Sequence, residues 1–216
     1  MSTRDQYFAS GYALIQGLLS PAITRSLMHR IKQDTGDDAL PLSTAKEFPN
    51  LLTRPAFEVY SHFYPPIQAL LWGLTPKIAD VTGLDLIPTY CYFRIYRAGD
   101  ICRVHSDRQS CEHSLSLTLD YSDGEIWPLD VGPTRLPAPD ASVDPDFGDA
   151  PHSAVAMQVG DAVLYQGTHH RHGRTLPNPN GWSAHLFLHW VDRNGPYAAF
   201  AFDGQPVPEA VNFSFR

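Results

Sequence analysis

Two short stretches of this chain carry residue types that bind metals. In VHSDRQSCE, residues 104–112, His105 and Asp107 stand one residue apart, with Arg108 directly after them. Far downstream, GTHHRHGRT presents His169, His170 and His172 within a few residues of a turn. A lone histidine–any–aspartate pair fits a polar strand end as well as it fits half of a metal site. A set of imidazoles elsewhere in the chain changes the balance. Two imidazoles and one carboxylate on one face of a divalent first-row metal leave the opposite face open, the arrangement that oxygen chemistry at iron(II) requires. If residues 170–174 are extended, His170, His172 and Arg174 share one face, and His169 and Arg171 share the other.

For these residues to meet, the chain must fold strands back on one another. From residue 88 the sequence is written for that. TYCYFRIYRA is β-branched and aromatic and alternates as a strand does, ICRVHSD is a second extended piece, and SLSLTLDY alternates strictly with Leu115, Leu117 and Leu119 on one face. EIWPLDV, with Trp127 expected to pack in the interior, AVAMQVGDAVLYQG, HHRHGRT and WSAHLFLHWVD supply the later strands. Between them, residues 132–152 are rich in Pro, Asp and Gly and read as a long, mobile entrance loop. Ahead of the strands, a strand-like YALIQ precedes an amphipathic helix with Ser20 as N-cap, Pro21 at its first position and Gly36 at its end. A second helical region is expected over about residues 55–81, split by Pro65 and Pro66 and closed by Gly83. Helices followed by about eight strands predict an α+β fold: a jelly-roll core with the N-terminal helices packed on one sheet. The division is residues 1–87 mainly helical, 88–195 the core and 196–216 a tail, all in one domain.

Composition narrows the function classes. The 216 residues carry a formal net charge of −7, which argues against nucleic acid and anionic membrane surfaces as partners. No apolar run reaches membrane-spanning length, and the start of the chain does not read as a secretory signal. Three cysteines without a CxxC spacing oppose a disulfide framework or a zinc knuckle, so a cytoplasmic protein with reduced thiols is expected. His113, His185 and His189 fall within strands and read as hydrogen-bonded core or surface histidines.

At this point the sequence resembles the iron(II)/2-oxoglutarate-dependent dioxygenases, and is most similar to prolyl-hydroxylase-like bacterial members. SGYALIQGLLSPAITRSL is similar to the family's opening strand and helix. YFRIYRAGDICRVHSDR looks like its tyrosine strand leading into the HxD pair, GDAVLYQG like the turn before its distal histidine, and AHLFLHWVD like its last core strand. The resemblance implies a double-stranded β-helix and an iron(II) held by His105, Asp107 and His172. His172 is selected because the family ligand falls five residues after the turn glycine, here Gly167; His170 is the reserve. It also implies 2-oxoglutarate as co-substrate, oxygen as oxidant, and hydroxylation of a small molecule or peptide with release of succinate and carbon dioxide. Related halogenases carry a small residue in place of the aspartate, so Asp107 implies hydroxylation or a related oxidation rather than halogenation.

One feature departs from the family. Its members hold the far carboxylate of 2-oxoglutarate with a basic residue early in the last strand, and NGWSAHLFLHW has none; the position falls near Ser183. A buried carboxylate needs a cation. Arg94, which shares a strand face with Tyr96, and Arg174, which shares one with His172, are the substitutes. Arg108 faces the opposite way from Asp107 by strand alternation and either orients substrate or pairs with an acid such as Glu112. The missing basic residue keeps two other readings open: a cupin-like metal oxygenase or lyase that does not use 2-oxoglutarate, and a non-catalytic metal- or ligand-binding barrel.

Overall fold

The computed structural model describes residues 2–35, 45–46 and 50–204. Helix α1 (Thr3–Ser10) opens on a capping box, in which the Ser2 hydroxyl accepts from the Asp5 N–H and the Asp5 carboxylate accepts from the Ser2 N–H. Strand β1 (Tyr12–Ile15) follows, then α2 (Pro21–Asp34) with Ser20 and Pro21 in the expected capping positions. The expected stop at Gly36 lies outside the described residues. Strands β2 (Ala45–Lys46) and β3 (Ala56–Tyr60) precede α3 (Pro65–Thr82).

The expected helical region over 55–81 is therefore corrected. AFEVY is a strand, and the proline pair opens the helix rather than splitting one, because prolines at the first two positions forfeit no helical hydrogen bond. Gly83 ends α3 in the left-handed conformation, as expected. The N-terminal part is thus less helical than its sequence suggested, since β1, β2 and β3 all join a sheet.

Eight strands follow: β4 (Leu86–Arg97), β5 (Cys102–His105), β6 (His113–Tyr121), β7 (Leu129–Arg135), β8 (Ser153–Val155), β9 (Ala162–Tyr165), β10 (His170–Arg174) and β11 (Trp182–Asp192). They form two sheets, a seven-stranded one in the order β1-β9-β6-β11-β4-β3-β2 and a four-stranded one in the order β5-β10-β7-β8. Every strand pair is antiparallel.

The seven-stranded sheet has two chemically distinct faces. Leu115, Leu117 and Leu119 of β6, Cys91 and Phe93 of β4, and Leu186, Leu188 and Trp190 of β11 pack against Ile31 of α2 and Ile67, Leu71 and Ile78 of α3. Each fully buried leucine contributes about 1.5–3 kcal/mol. The alternate residues of the same strands, such as Tyr92 and Phe187, point between the two sheets. There Tyr96, Tyr121 and Phe187 pack with Trp127 and with Cys102 of β5, which joins the sheets. Trp127 is fully buried and its indole N–H donates to the Leu176 carbonyl, but it precedes β7 rather than lying in it. β7 in turn runs to Arg135, so the long connection is 136–152. It is held against β5: Val104 and Asp144 exchange both backbone hydrogen bonds, Arg171 pairs with Asp144, and the Ser106 hydroxyl donates to the Asp140 carbonyl. The three cysteines are free and buried, and among the described residues no helix is long and apolar enough to cross a membrane.

At the seam between α1 and β6, Tyr7 and His113 are buried together, with the tyrosine hydroxyl 2.6 Å from His113 Nδ1. Burial first, and then the charge of His169, push His113 down to about 3. Below its ordinary pKa of 6.5 the unfolded chain takes up a proton here that the folded chain refuses. Stability from this group is therefore complete above about pH 6.5 and falls by about 1.4 kcal/mol per pH unit as pH drops toward 3. Unfolding free energies from urea titrations at pH 7, 6 and 5 should fall as pH drops, and His113→Gln should reduce that slope by about 1.4 kcal/mol per pH unit. An unchanged slope in the variant would contradict the assignment.

Candidate metal centre

Strand β10 lies between β5 and β7, and its register places His172 directly opposite His105. The two imidazole rings lie 4.4 Å apart, centroid to centroid. Just past the end of β5, Asp107 is drawn back by a hydrogen bond from its N–H to the Gly167 carbonyl. Its Oδ1 sits 3.6 Å from His105 Nε2 and 3.5 Å from His172 Nε2. One ligand atom from each of the three residues lies within 4.8 Å of the others.

The tautomers are set for metal binding. His105 Nδ1–H donates to the Arg103 carbonyl at 2.8 Å, and His172 Nδ1–H donates to the His170 carbonyl at 2.9 Å. Each ring therefore turns its Nε2, the nitrogen a metal would take, toward Asp107. Burial, then the neighbouring His172, lowers the His105 pKa, which favours the neutral imidazole a metal needs. Burial would raise Asp107, but His172 and His105 outweigh it and hold the carboxyl well below its usual range. Two neutral nitrogens and one carboxylate oxygen are the donor set of a first-row divalent metal with open positions.

The residues behind the ligands were not singled out from sequence. The Ser114 hydroxyl sits 3.1 Å from Asp107 Oδ2 and 2.9 Å from His189 Nδ1, tying the carboxylate to β6 and β11. Gly167 has no side chain because none fits: a Cβ there would lie 2.3 Å from Asp107 Oδ2 and 2.7 Å from Ser114 Oγ. The turn glycine was visible in the sequence; its packing role was not.

The other histidines are excluded. The pairing of β10 with β7 shifts register between His170 and His172, with the extra residues on β7, and His170 does not join His172 and Arg174 at the centre. Its ring packs over Gly11, and its Nδ1 bonds the Gly132 carbonyl. His169 bonds the Leu136 carbonyl. A second group, Asp107, Cys111 and His189, also falls within 4.8 Å. Burial, and then the Asp107 charge, push the Cys111 thiol well above its usual pKa, which disfavours the thiolate a metal binds.

A cavity of about 290 Å³ opens on this centre and is lined also by Arg94, Tyr96 and Arg174. Arg94 is buried and paired with the fully buried Glu58, and its Nη1 donates to the Tyr96 hydroxyl at 2.7 Å. Arg174 is 1% exposed. Its guanidinium reaches the Trp127 carbonyl, the Ser116 hydroxyl and His185 and lies over the Trp127 ring, but among the described residues it meets no carboxylate. Burial, then Arg174 and Arg94, holds His185 well below its usual pKa, so it adds no charge. Ser183 is buried and its hydroxyl accepts from Asn178. Arg108 corrects the sequence reading: β5 ends at His105, so strand alternation no longer applies, and Arg108 lines the same cavity and pairs with Asp203 rather than Glu112.

Metal content after nickel(II) loading should fall to background in His105→Ala, Asp107→Ala and His172→Ala and persist in His169→Ala and His170→Ala. Gly167→Ala should weaken binding roughly 10–100-fold, the range for disturbing the shell behind metal ligands. Retention in His172→Ala with loss in His170→Ala would show that the wrong imidazole is identified.

No family model and no curated protein matches the sequence. Solved structures do match. A prolyl-4-hydroxylase from Pseudomonas putida aligns with a TM-score of 0.62 at 17% identity, over 89% of this chain and 98% of its own. The non-heme alpha ketoglutarate dependent epimerase SnoN of nogalamycin biosynthesis aligns with a TM-score of 0.68 at 13% identity, over 98% of this chain and 89% of its own. HygX from Streptomyces hygroscopicus, solved with nickel, 2-oxoglutarate and hygromycin B bound, aligns with a TM-score of 0.61 at 14% identity, over 89% of this chain and 88% of its own. At these identities the likeness is one of fold, and the fold is the one these enzymes share.

Proposed function

We propose that this chain is an iron(II)/2-oxoglutarate-dependent dioxygenase that hydroxylates a small molecule or peptide. On this reading the two-sheet core is a double-stranded β-helix and residues 1–216 act as one domain. The observation that carries it is the meeting, in one cavity, of a two-imidazole, one-carboxylate centre and a buried arginine that has no carboxylate partner among the described residues. The fold likeness to enzymes solved with such cofactors supports it.

His105, Asp107 and His172 would hold iron(II). Bound together, iron(II) and 2-oxoglutarate would supply, with dioxygen as oxidant, the oxidative decarboxylation that puts one oxygen atom into succinate, releases carbon dioxide and leaves the other for oxidising substrate. The chain's own part is positioning. Arg174 takes the far carboxylate of 2-oxoglutarate, in place of the basic residue absent near Ser183, and Tyr96 lines the same cavity. Arg94 drops from candidate anchor to structural partner, because Glu58 already neutralises it. Asp107 keeps a carboxylate where a halide would otherwise sit, which fits hydroxylation.

Iron-dependent formation of succinate from 2-oxoglutarate tests the reading directly, and its absence with iron bound would favour a centre that does not use this co-substrate. Arg174→Gln should weaken 2-oxoglutarate binding by roughly 2–5 kcal/mol while metal content holds. Arg94→Ala should act mainly on stability, by roughly 3–5 kcal/mol, because it strands a buried carboxylate. Titration of 2-oxoglutarate into the nickel-loaded variants, with urea unfolding alongside, separates the two. Unchanged affinity in Arg174→Gln would place the anchor elsewhere.

A further inference from the structure

Arg108 is the cavity arginine that the metal centre and the co-substrate leave unused. Its side chain is 50% exposed, so it stands at the mouth. The guanidinium lies over the Tyr90 ring, 4.6 Å from its centroid, and donates to the Ser110 hydroxyl at 2.9 Å. Its carboxylate partner, Asp203, meets it at 2.6 Å.

The segment that delivers Asp203 is poorly secured. Ala198–Gly204 is a 3₁₀ segment broken by a kink, with Phe202 at φ 54° and Asp203 at φ 60°. The left-handed region is unfavourable for a residue as bulky as phenylalanine. Phe202 stacks on Trp72 at 6.1 Å, and both rings are exposed. A half-exposed ion pair contributes little and is screened by salt. Asp203 therefore occupies Arg108 by a partly exposed ion pair that a substrate carboxylate can replace.

The charge of the cavity sets the kind of replacement. Its lining carries three arginines, Arg94, Arg108 and Arg174, against one carboxylate, Asp107. Arg94 has Glu58, Asp107 belongs to the metal centre, and Arg174 is assigned to the co-substrate. Among the described lining residues a cationic substrate would find no free counter-charge, whereas an anionic one finds Arg108. Beside Arg108 runs an aromatic stretch: Tyr90 and Tyr92 lie 6.1 Å apart, Tyr60 and Tyr92 5.2 Å, and Tyr92 and Phe187 4.9 Å.

We infer that the substrate of this site carries a carboxylate attached near a planar ring. Arg108 binds that carboxylate through its fork of N–H donors, the ring lies along Tyr90 and Tyr92, and Asp203 holds the position until substrate replaces it. The inference rests on the dioxygenase reading for the assignment of the other charges, but binding at Arg108 does not require turnover.

Three probes of matched size test it: phenylacetate, its uncharged amide and the cation phenethylamine, titrated calorimetrically into the full chain loaded with nickel(II) and 2-oxoglutarate. The co-substrate keeps the probe off Arg174. Phenylacetate should bind at least about tenfold more tightly than the other two. Arg108→Gln should abolish that preference, and Asp203→Asn should tighten phenylacetate several-fold without changing the amide. Equal binding of the three probes, no binding of phenylacetate, or a preference that survives Arg108→Gln would overturn the proposal. An Asp203→Asn variant that binds phenylacetate like the parent would overturn the placeholder role. Failure of 2-oxoglutarate to bind is read in its own titration and counts against the dioxygenase reading instead; the Arg108→Gln comparison is then made without it.

Discussion

The cross-strand pairing of His172 with His105 is the interaction on which the rest of this structure depends. Side chains alternate along a strand, so a slip of one residue between β5 and β10 would turn His172 out of the centre. Each imidazole then donates Nδ1–H to a carbonyl two residues earlier in its own strand, which fixes the ring and leaves Nε2 facing inward. Asp107 needs a different device, because it lies beyond the end of β5. Its backbone is held by Gly167, and its carboxylate packs where any side chain at 167 would stand. The centre is therefore assembled from one strand pair and one tight turn, rather than from a flexible loop.

The seven-stranded sheet supports this centre by dividing its work between two faces. Its outer face is an apolar layer under α2 and α3, with the buried His113 at its edge beneath α1. Its inner face carries histidines, hydroxyls, tyrosines and arginines that an ordinary core would exclude. That polarity is tolerated because most of these groups are paired: Arg94 with Glu58, Ser114 between Asp107 and His189, and Asn178 with the carbonyls of Tyr96 and Arg97. Arg174 stands out against this pattern as a buried charge with hydrogen-bond acceptors but, among the described residues, no carboxylate. A buried cation of this kind is costly unless a ligand completes it.

Much of this was legible in the sequence, and the parts that were not have physical causes. The HxD pair, the strict alternation of Leu115, Leu117 and Leu119, the capping at Ser20 and the eight strands from residue 86 onward all follow from local patterns. Strand alternation also brought Arg174 and Tyr96 to the cavity. It failed at His170, because a bulge cannot be read from residue types, and at Arg108, because the strand had already ended. AFEVY was absorbed into a helix when the proline pair after it was read as a break instead of a start. Glu58 and Asp203 come from distant segments, and nothing in their neighbourhoods marks them as partners of Arg94 and Arg108. The intervals from His105 to Asp107 and from Gly167 to His172 were informative because short stretches of backbone fix them; the buried ion pairs were not, because only the tertiary fold brings them together.

The central claim is that two imidazoles and one carboxylate from these three residues form a single metal centre. X-ray absorption at the iron edge, on protein loaded anaerobically with iron(II), reads the ligand set without requiring a substrate. The account predicts two imidazoles in the parent, one in His172→Ala, and no sulfur ligand in either. An unchanged imidazole count in His172→Ala, or a thiolate contribution from Cys111, would contradict it.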